Sequence, residues 1–324
     1  MTEQRWNLVA DIGGTNARFA ALREGQLESD FEFYHSVEEY PQFSDLIVKL
    51  RDEIALATGF VGAPHSVCLA VACPADAEHI SFTNSHWEFT KTHLLEWFGC
   101  QQLVVINDFE AVAHGITELG PEDSIKIGGG EPQVHKPVGI LGAGTGLGMA
   151  ALISHSDGYH VLDTEGGHAD FAPVGERQMD VLTCLLESYK RVSLERVLSG
   201  KGIVNIYNAI CQMEGTDPIL TTPPDVVAAA LASTNPQALT ALYTFCESMG
   251  AAAGNLALTL GAKGGIYIAG GVVPRFSEFF VNSGFREKFE DKGRFASYLE
   301  PIPVYLVTHN KLGLLGAAKK LQNA

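Results

Sequence analysis

Positive charge is scarce in this sequence, and long apolar runs are absent. Only 22 Lys and Arg stand against 38 Asp and Glu, a formal net charge of −16. The main partner is therefore not expected to be a nucleic-acid backbone or an anionic membrane surface. No run of about 20 apolar residues occurs, so no membrane span is expected. The stretch before the charged Asp11, MTEQRWNLVA, is too short in apolar residues for a signal-peptide core. A cytoplasmic location is the expectation. Cys68, Cys73, Cys100, Cys184, Cys211 and Cys246 include no CxxC pair and no zinc-ligand spacing, and read as reduced, mostly buried thiols. The usual nucleotide signatures are also missing. There is no GxxxxGK[ST], and the run 142–148 reads GxGxGxG instead of GxGxxG, so a P-loop, a dinucleotide site or an NAD-dependent oxidoreductase has no support.

What is present is enough for a folded α/β enzyme. The 324 residues, 46% hydrophobic and 19% charged, suit roughly two domains at about 150 residues each. Glycine is abundant, at 34 residues, and clustered. An apolar strand ending at Ala10 runs into Asp11-Ile12-Gly13-Gly14-Thr15-Asn16 and a second strand ending Ala20-Ala21-Leu22. The pattern recurs at 138–152, where Gly142-Ala143-Gly144-Thr145-Gly146 is followed by Ala150-Ala151-Leu152. Two copies heading two halves of the chain read as a duplicated domain. Between and after them, periodicity predicts helices at 41–57, 91–98, 178–189, 224–232, 236–260 and 312–321. Strands are expected at 66–73, 103–106, 265–269 and 304–307. A hinge is expected near 109–113.

Each glycine turn offers backbone N–H groups to an anion, and two such turns could clasp a polyphosphate. Asp11 alone would repel phosphate; with Mg²⁺ bridging phosphate oxygens, its carboxylate could hold the metal's water shell. Asn107 and Asp108 follow a strand, where residues of open α/β sheets line clefts. Asp108 there could accept the proton of an attacking hydroxyl, although an Asp before Phe109-Glu110 would equally cap a helix, the commoner use. The Glu165-Gly166-Gly167-His168 turn suits a polyol by mixing acceptor and donor. A surface loop is the plainer alternative. Glu195 reads as a first-turn helical Glu after a Ser cap, and Gly270-Gly271 as another strand-then-turn that could admit an adenosine.

Taken together, these residues resemble the bacterial ATP-dependent glucokinases of the hexokinase and actin-like superfamily. The resemblance runs through ADIGGTNAR (10–18), INDFEAVA (106–113), GAGTGLG (142–148), EGGHADFAP (165–173), ERVLSGKG (195–202), IAGGVVPRF (268–276) and FEDKGRF (289–295). It lacks the cysteine-rich zinc motif of the related repressor, open-reading-frame and kinase group, and no helix-turn-helix segment precedes the first block. The resemblance implies a two-domain duplicated actin-like, ribonuclease H-like α/β fold. The small domain would be 1–110 completed by 301–324, the large one 111–300, with the sugar in the cleft. It implies Asp108 as general base for the 6-hydroxyl of D-glucose, and Asn107, Asp108, Glu165, His168 and Glu195 as sugar ligands. Ala10, Asp11, Ile12, Gly13, Gly14, Thr15, Asn16, Thr145, Gly146, Gly270 and Gly271 would bind ATP, with Mg²⁺ on its phosphates. Ala10 stands where relatives often carry glycine. A homodimer acting at the first step of glycolysis is implied too. The rival readings are a kinase for another hexose and a non-catalytic sugar-binding regulator.

Overall fold

Trp6, Leu8, Ala10 and Ile12 alternate with Asn7, Val9 and Asp11 along β1 (Trp6–Ile12), and the period of two sorts them onto opposite faces of a sheet. In the computed structural model, which describes residues 5–29, 31–82, 85–156 and 158–324, β1 pairs antiparallel with β2 (Asn16–Arg23). The hairpin continues into β3 (Glu32–Ser36). On its other side β1 lies parallel to β4 (Ser66–Val71), which lies parallel to the outermost strand, here called β7 because a separate ribbon of β5 (His79–Ser81) and β6 (Glu88–Thr90) precedes it. β7 spans Gln102–Asn107. The order is β3-β2-β1-β4-β7.

Both faces of this sheet are covered. Trp6, Leu8, Ala10 and Ile12 pack with Phe19, with Phe43, Leu46 and Leu50 of α1 (Phe43–Thr58), and with Leu94 and Phe98 of α2 (Lys91–Phe98). Val9, Ala20, Cys68 and Ile106 pack against Ala111 of α3 (Asp108–Ile116) and against Leu314, Ala317 and Ala318 of the C-terminal helix, Leu312–Gln322. α1 and α2 stop at Gly59 and Gly99, both left-handed. α3 and the residues just after it are also joined to the C-terminal helix by ion pairs, Lys320 to Glu110 at 2.8 Å and Lys319 to Glu118 at 2.9 Å.

The second half repeats the plan. β9 (Val138–Ala143) pairs antiparallel with β10 (Leu147–His155), and β10 with β11 (Gly158–Thr164). β12 (Gly265–Ala269) is parallel to β9, and β13 (Val304–Val307) to β12. β8 (Ser124–Gly128) adds an antiparallel edge, giving β11-β10-β9-β12-β13-β8. A hairpin, a third antiparallel strand and two parallel strands thus occur in the same order in each sheet. Helices α4 (Glu176–Ser188), α5 (Gly200–Glu214), α6 (Pro223–Leu231) and α7 (Pro236–Leu260) supply most of the apolar mass on this sheet, with Ile203, Ile206, Leu242, Phe245 and Met249 fully buried.

The chain divides into two units, Met1–Leu119 with His309–Ala324, and Gly120–Thr308. These bounds differ from the 110/111 and 300/301 breaks expected from sequence. α3 runs through 110/111 and is packed along the C-terminal helix, so the expected hinge at 109–113 is helix interior. Residues 304–307 pair with β12 and so remain in the second unit. α5 was not anticipated. Among the described residues no helix is long and apolar enough to cross a membrane.

The α3 packing needs glycine. A Cβ on Gly316 would stand 1.7 Å from the Ala111 carbonyl oxygen and 2.8 Å from the Gly115 nitrogen. Gly316→Ala must push the two helices apart, at a cost of about 3 kcal/mol. The variant's thermal unfolding midpoint should fall by several degrees; an unchanged midpoint would contradict the close approach.

Candidate active site

The first glycine turn joins β1 to β2. Gly13 N–H donates to the Asn16 carbonyl at 2.9 Å, and Val37 N–H donates to the Thr15 carbonyl at 2.9 Å, tying the tip to the segment after β3. Thr15 and Asn16 are exposed. The second turn closes in the same manner, with Gly144 N–H on the Gly146 carbonyl at 2.8 Å and Thr145 exposed at the tip. Among the described residues, the amides of Gly14, Thr15, Thr145 and Gly146 donate no hydrogen bond. A Cβ on Gly13 or Gly144 would meet no atom closer than 3.5 Å. Each turn therefore holds unused donors, the arrangement an anion needs. Ala10 and Ile12 are buried in the β1 core and shape the first turn from below.

Asp11 shares a face of β1 with Val9, toward the C-terminal helix. A Cβ on Gly313, in that helix's first turn, would lie 3.0 Å from the Asp11 carboxyl carbon. Burial raises the Asp11 carboxyl above its ordinary range, and the charge of Arg18 partly offsets this. Arg18 faces Asp11 directly across the hairpin. It was overlooked as a site residue, yet the register was legible. Asp11 and Arg18 stand at equal distances from the middle of the turn. A half-buried carboxylate beside a single cation fits a group that meets a metal-bound polyphosphate. Among the described residues no three His, Cys, Asp or Glu side chains cluster to hold a metal. Mg²⁺ carried on phosphate oxygens requires no such cage, so Asp11 suits it as one water-mediated contact.

β7 passes into α3 without a loop. Asn107, not Asp108, caps the helix: its Oδ1 accepts from Phe109 N–H at 2.8 Å and Glu110 N–H at 3.4 Å. The expected competing use of Asp108 as the cap therefore falls away, and Asp108 is the first helical residue, half-buried. Asn107 Nδ2 donates to the Cys73 carbonyl at 3.3 Å. One Nδ2 proton is thus left for a ligand, while Oδ1 already accepts from two backbone amides. Cys73 reports the Asp108 charge: burial first, then Asp108, push its thiol up to about 11.

In the second unit, three turns converge on residues 143–147. Glu165 follows β11 directly and leads into the turn Gly166–His168, with Glu165 and His168 both exposed and 3.7 Å apart. Arg191 donates to the His168 carbonyl at 2.7 Å and pairs with Asp170. The Leu194 N–H to Ala169 carbonyl bond at 2.8 Å and the Phe171 N–H to Val192 carbonyl bond at 3.0 Å lace this turn to the one bearing Glu195. Glu195 lies on a single 3-10 turn, Leu194–Arg196, whose preceding Ser193 caps nothing with its side chain. The expected helical cap sits instead at Ser199, whose Oγ accepts from Gly202 N–H at 3.0 Å to begin α5. Glu195 Oε2 accepts from Leu147 N–H at 3.1 Å. Gly270 and Gly271 part company. Gly270 has φ of +87°, and a Cβ there would strike the Ala143 carbonyl at 2.4 Å, whereas Gly271 has nothing within 4 Å. Gly270 holds the loop on the hairpin and Gly271 keeps space open.

Comparison with known proteins follows this geometry. The family model described as Glucokinase matches residues 8–324. A glucokinase of Tolumonas auensis is 46% identical over 317 residues, 97% of this chain and 96% of its own. The crystal structure of glucokinase from an Antarctic psychrotroph superposes with a TM-score of 0.86 at 33% identity, covering 98% of this chain and 99% of that one. A ROK family glucokinase from Streptomyces griseus, solved with glucose and AMPPNP, matches with a TM-score of 0.67 at 21% identity over 98% and 100% of the two chains, a likeness of fold. The repeated hairpin sheets are those of the actin-like α/β fold.

Asp11 yields a prediction about stability and activity together. Because its folded carboxyl lies above the ordinary range, the ionised form opposes folding at neutral pH; that opposition shrinks as pH falls through the folded value and is gone only below the ordinary carboxylate value. Asp11→Asn should unfold at a higher temperature than the parent at pH 7, with the gain shrinking toward pH 4, while turnover falls at least tenfold. A lower midpoint at pH 7 would show that the carboxylate stabilises the fold.

Proposed function

Because the chain belongs to the glucokinase family, we propose that it transfers the terminal phosphoryl group of ATP to the 6-hydroxyl of D-glucose, giving glucose 6-phosphate and ADP. The family match over residues 8–324 carries this reading. The placement of Asp108 supports it, since this carboxylate stands at the end of β7 on the first helical residue of α3, beside Asn107, which caps the helix.

In this reading Asp108 orients the 6-hydroxyl and accepts its proton late in the transfer. Little more covalent assistance is needed, because the transition state of phosphoryl transfer is loose and catalysis is mostly positioning and charge stabilisation. Asn107, Glu165, His168 and Glu195 bind the remaining hydroxyls. The exposed Glu165 and His168 pair supplies an acceptor and a donor side by side. Of residues 10–16, Gly14 and Thr15 receive phosphate oxygens on their amides, as do Thr145 and Gly146 on the second turn, with Ala10, Asp11, Ile12, Gly13 and Asn16 framing the first turn, and Gly270-Gly271 borders the adenosine. Mg²⁺ on the phosphates, reached by Asp11 through water, would neutralise charge and align the polyphosphate. The reading also takes the protein to act in the cytoplasm, as a homodimer, at the first step of glycolysis.

The test is ADP formation from Mg-ATP with glucose, mannose, fructose and N-acetylglucosamine in parallel. Glucose should be strongly preferred; preference for another sugar would overturn the specificity, and hexose binding without turnover would favour a regulator. Asp108→Asn should lower kcat by about a hundredfold to ten-thousandfold, with glucose affinity within a few-fold of the parent. Near-normal turnover would remove Asp108 from the role of base.

A further inference from the structure

The segment from Glu195 to Gly200 holds the second glycine turn from two sides. The Glu195 side chain accepts the Leu147 N–H at 3.1 Å where the chain leaves the turn. The Gly200 N–H donates to the Gly144 carbonyl at 2.9 Å where the chain enters it. Within the turn, Gly146 leaves room for the carboxylate, since a Cβ there would stand 2.5 Å from Glu195 Oε2. Among the described residues Glu195 makes no other hydrogen bond or ion pair. One oxygen of the carboxylate is committed to the turn, and Oε1 is left for a ligand.

We propose that Glu195 is a positioning residue for the nucleotide as well as a ligand of the sugar: its carboxylate spans the two, fixing the Thr145-Gly146 amides for phosphate through Leu147 while Oε1 meets a sugar hydroxyl. This rests on the sugar kinase reading above and adds a physical link between its two substrates. A hydrogen bond from a backbone N–H to a carboxylate is among the stronger ones in proteins, and it sets the turn before any ligand arrives. Linkage makes the effect reciprocal. A sugar that draws Glu195 into one orientation firms the turn for nucleotide, and nucleotide on the turn firms Glu195 for sugar, by the same factor. A simple sugar ligand would show neither effect.

The experiment uses the full chain and measures binding of each substrate alone, by calorimetry. Glu195→Ala should weaken AMPPNP binding in the absence of any sugar by about tenfold, the loss expected for one charge-assisted hydrogen bond. It should also speed hydrogen exchange of the Leu147 amide. Glu195→Gln retains an acceptor oxygen, so AMPPNP affinity should return to within about twofold of the parent while glucose binding stays impaired. Gly146→Ala, which crowds Oε2, should weaken glucose binding in the absence of nucleotide, although residue 146 lies on the phosphate turn. If Glu195→Ala fails to fold, the Gln and Gly146 variants still decide. AMPPNP affinity and Leu147 exchange unchanged in Glu195→Ala, with glucose binding lost, would overturn the proposal and leave the kinase reading intact. If the parent phosphorylates no hexose, the kinase reading fails, and AMPPNP affinity and Leu147 exchange still report whether Glu195 sets the turn.

Discussion

A strand covered by apolar side chains on both faces can carry chemistry only where it ends. β1, β4 and β7 run parallel in the first sheet, with Ala10, Ile12, Leu69, Ala70 and Ile106 sealed inside. Nearly every candidate group in that unit therefore appears where a parallel strand finishes: Asp11 and the first turn after β1, Asn107 and Asp108 at the close of β7. The second sheet obeys the same constraint. The second turn follows β9, Gly270 follows β12, and Glu165 follows β11, which runs parallel to β9 because two antiparallel pairings separate them. Polar groups collect at one edge of each sheet because elsewhere they would be buried without partners.

That edge is precise because backbone, not side chains, makes most of the contacts. The Gly144 carbonyl is held by Gly200, the Ala143 carbonyl by Val272 at 3.1 Å, and the Glu165 turn is laced to residues 192–194. Side chains then act as fasteners between backbone segments: Asn107 between α3 and Cys73, Glu195 between its own turn and Leu147, Arg191 between its loop and His168. A residue in such a place has two jobs, and its substitution is felt in both. Asn107 shows the principle most directly. It caps α3 through Oδ1 and reaches the Cys73 carbonyl through Nδ2, so one side chain fixes both the helix start and the neighbouring loop.

Much of this was legible in the sequence where the deciding information was local. The two strand-turn-strand copies were visible as repeated text, and they occupy equivalent places in two sheets of the same order. The helices at Lys91–Phe98 and Pro236–Leu260 and the strands at Gly265–Ala269 and Val304–Val307 fall where periodicity put them. What escaped depended on distant partners or on choices between neighbours. Asn107 and Asp108 are both good caps, and in the folded chain the first takes the role. Glu195 and Leu147 are 48 residues apart, so no spacing rule connects them. The breaks near 110 and 300 that the resemblance implied differ from the unit bounds, because α3 runs past 110 and β13 pairs into the second sheet beyond 300.

The charge of the chain poses the remaining physical question: how a protein of net charge −16 holds a polyanion. Screening answers the long-range part. At physiological salt, exposed charges separated by more than about 8 Å barely feel one another, so most of the acidic surface is irrelevant at the turns. The short-range part is answered by dipoles in place of cations. The unused amides of Gly14, Thr15, Thr145 and Gly146 present partial positive charge without side-chain entropy. Arg18 opposite Asp11 then has a narrower task than binding phosphate outright. Its charge partly offsets the burial that pushes the Asp11 carboxyl up. An acidic chain can therefore serve a polyphosphate because the attraction it needs is local and built into the backbone, while its net charge, spread over the surface, acts mainly on solubility.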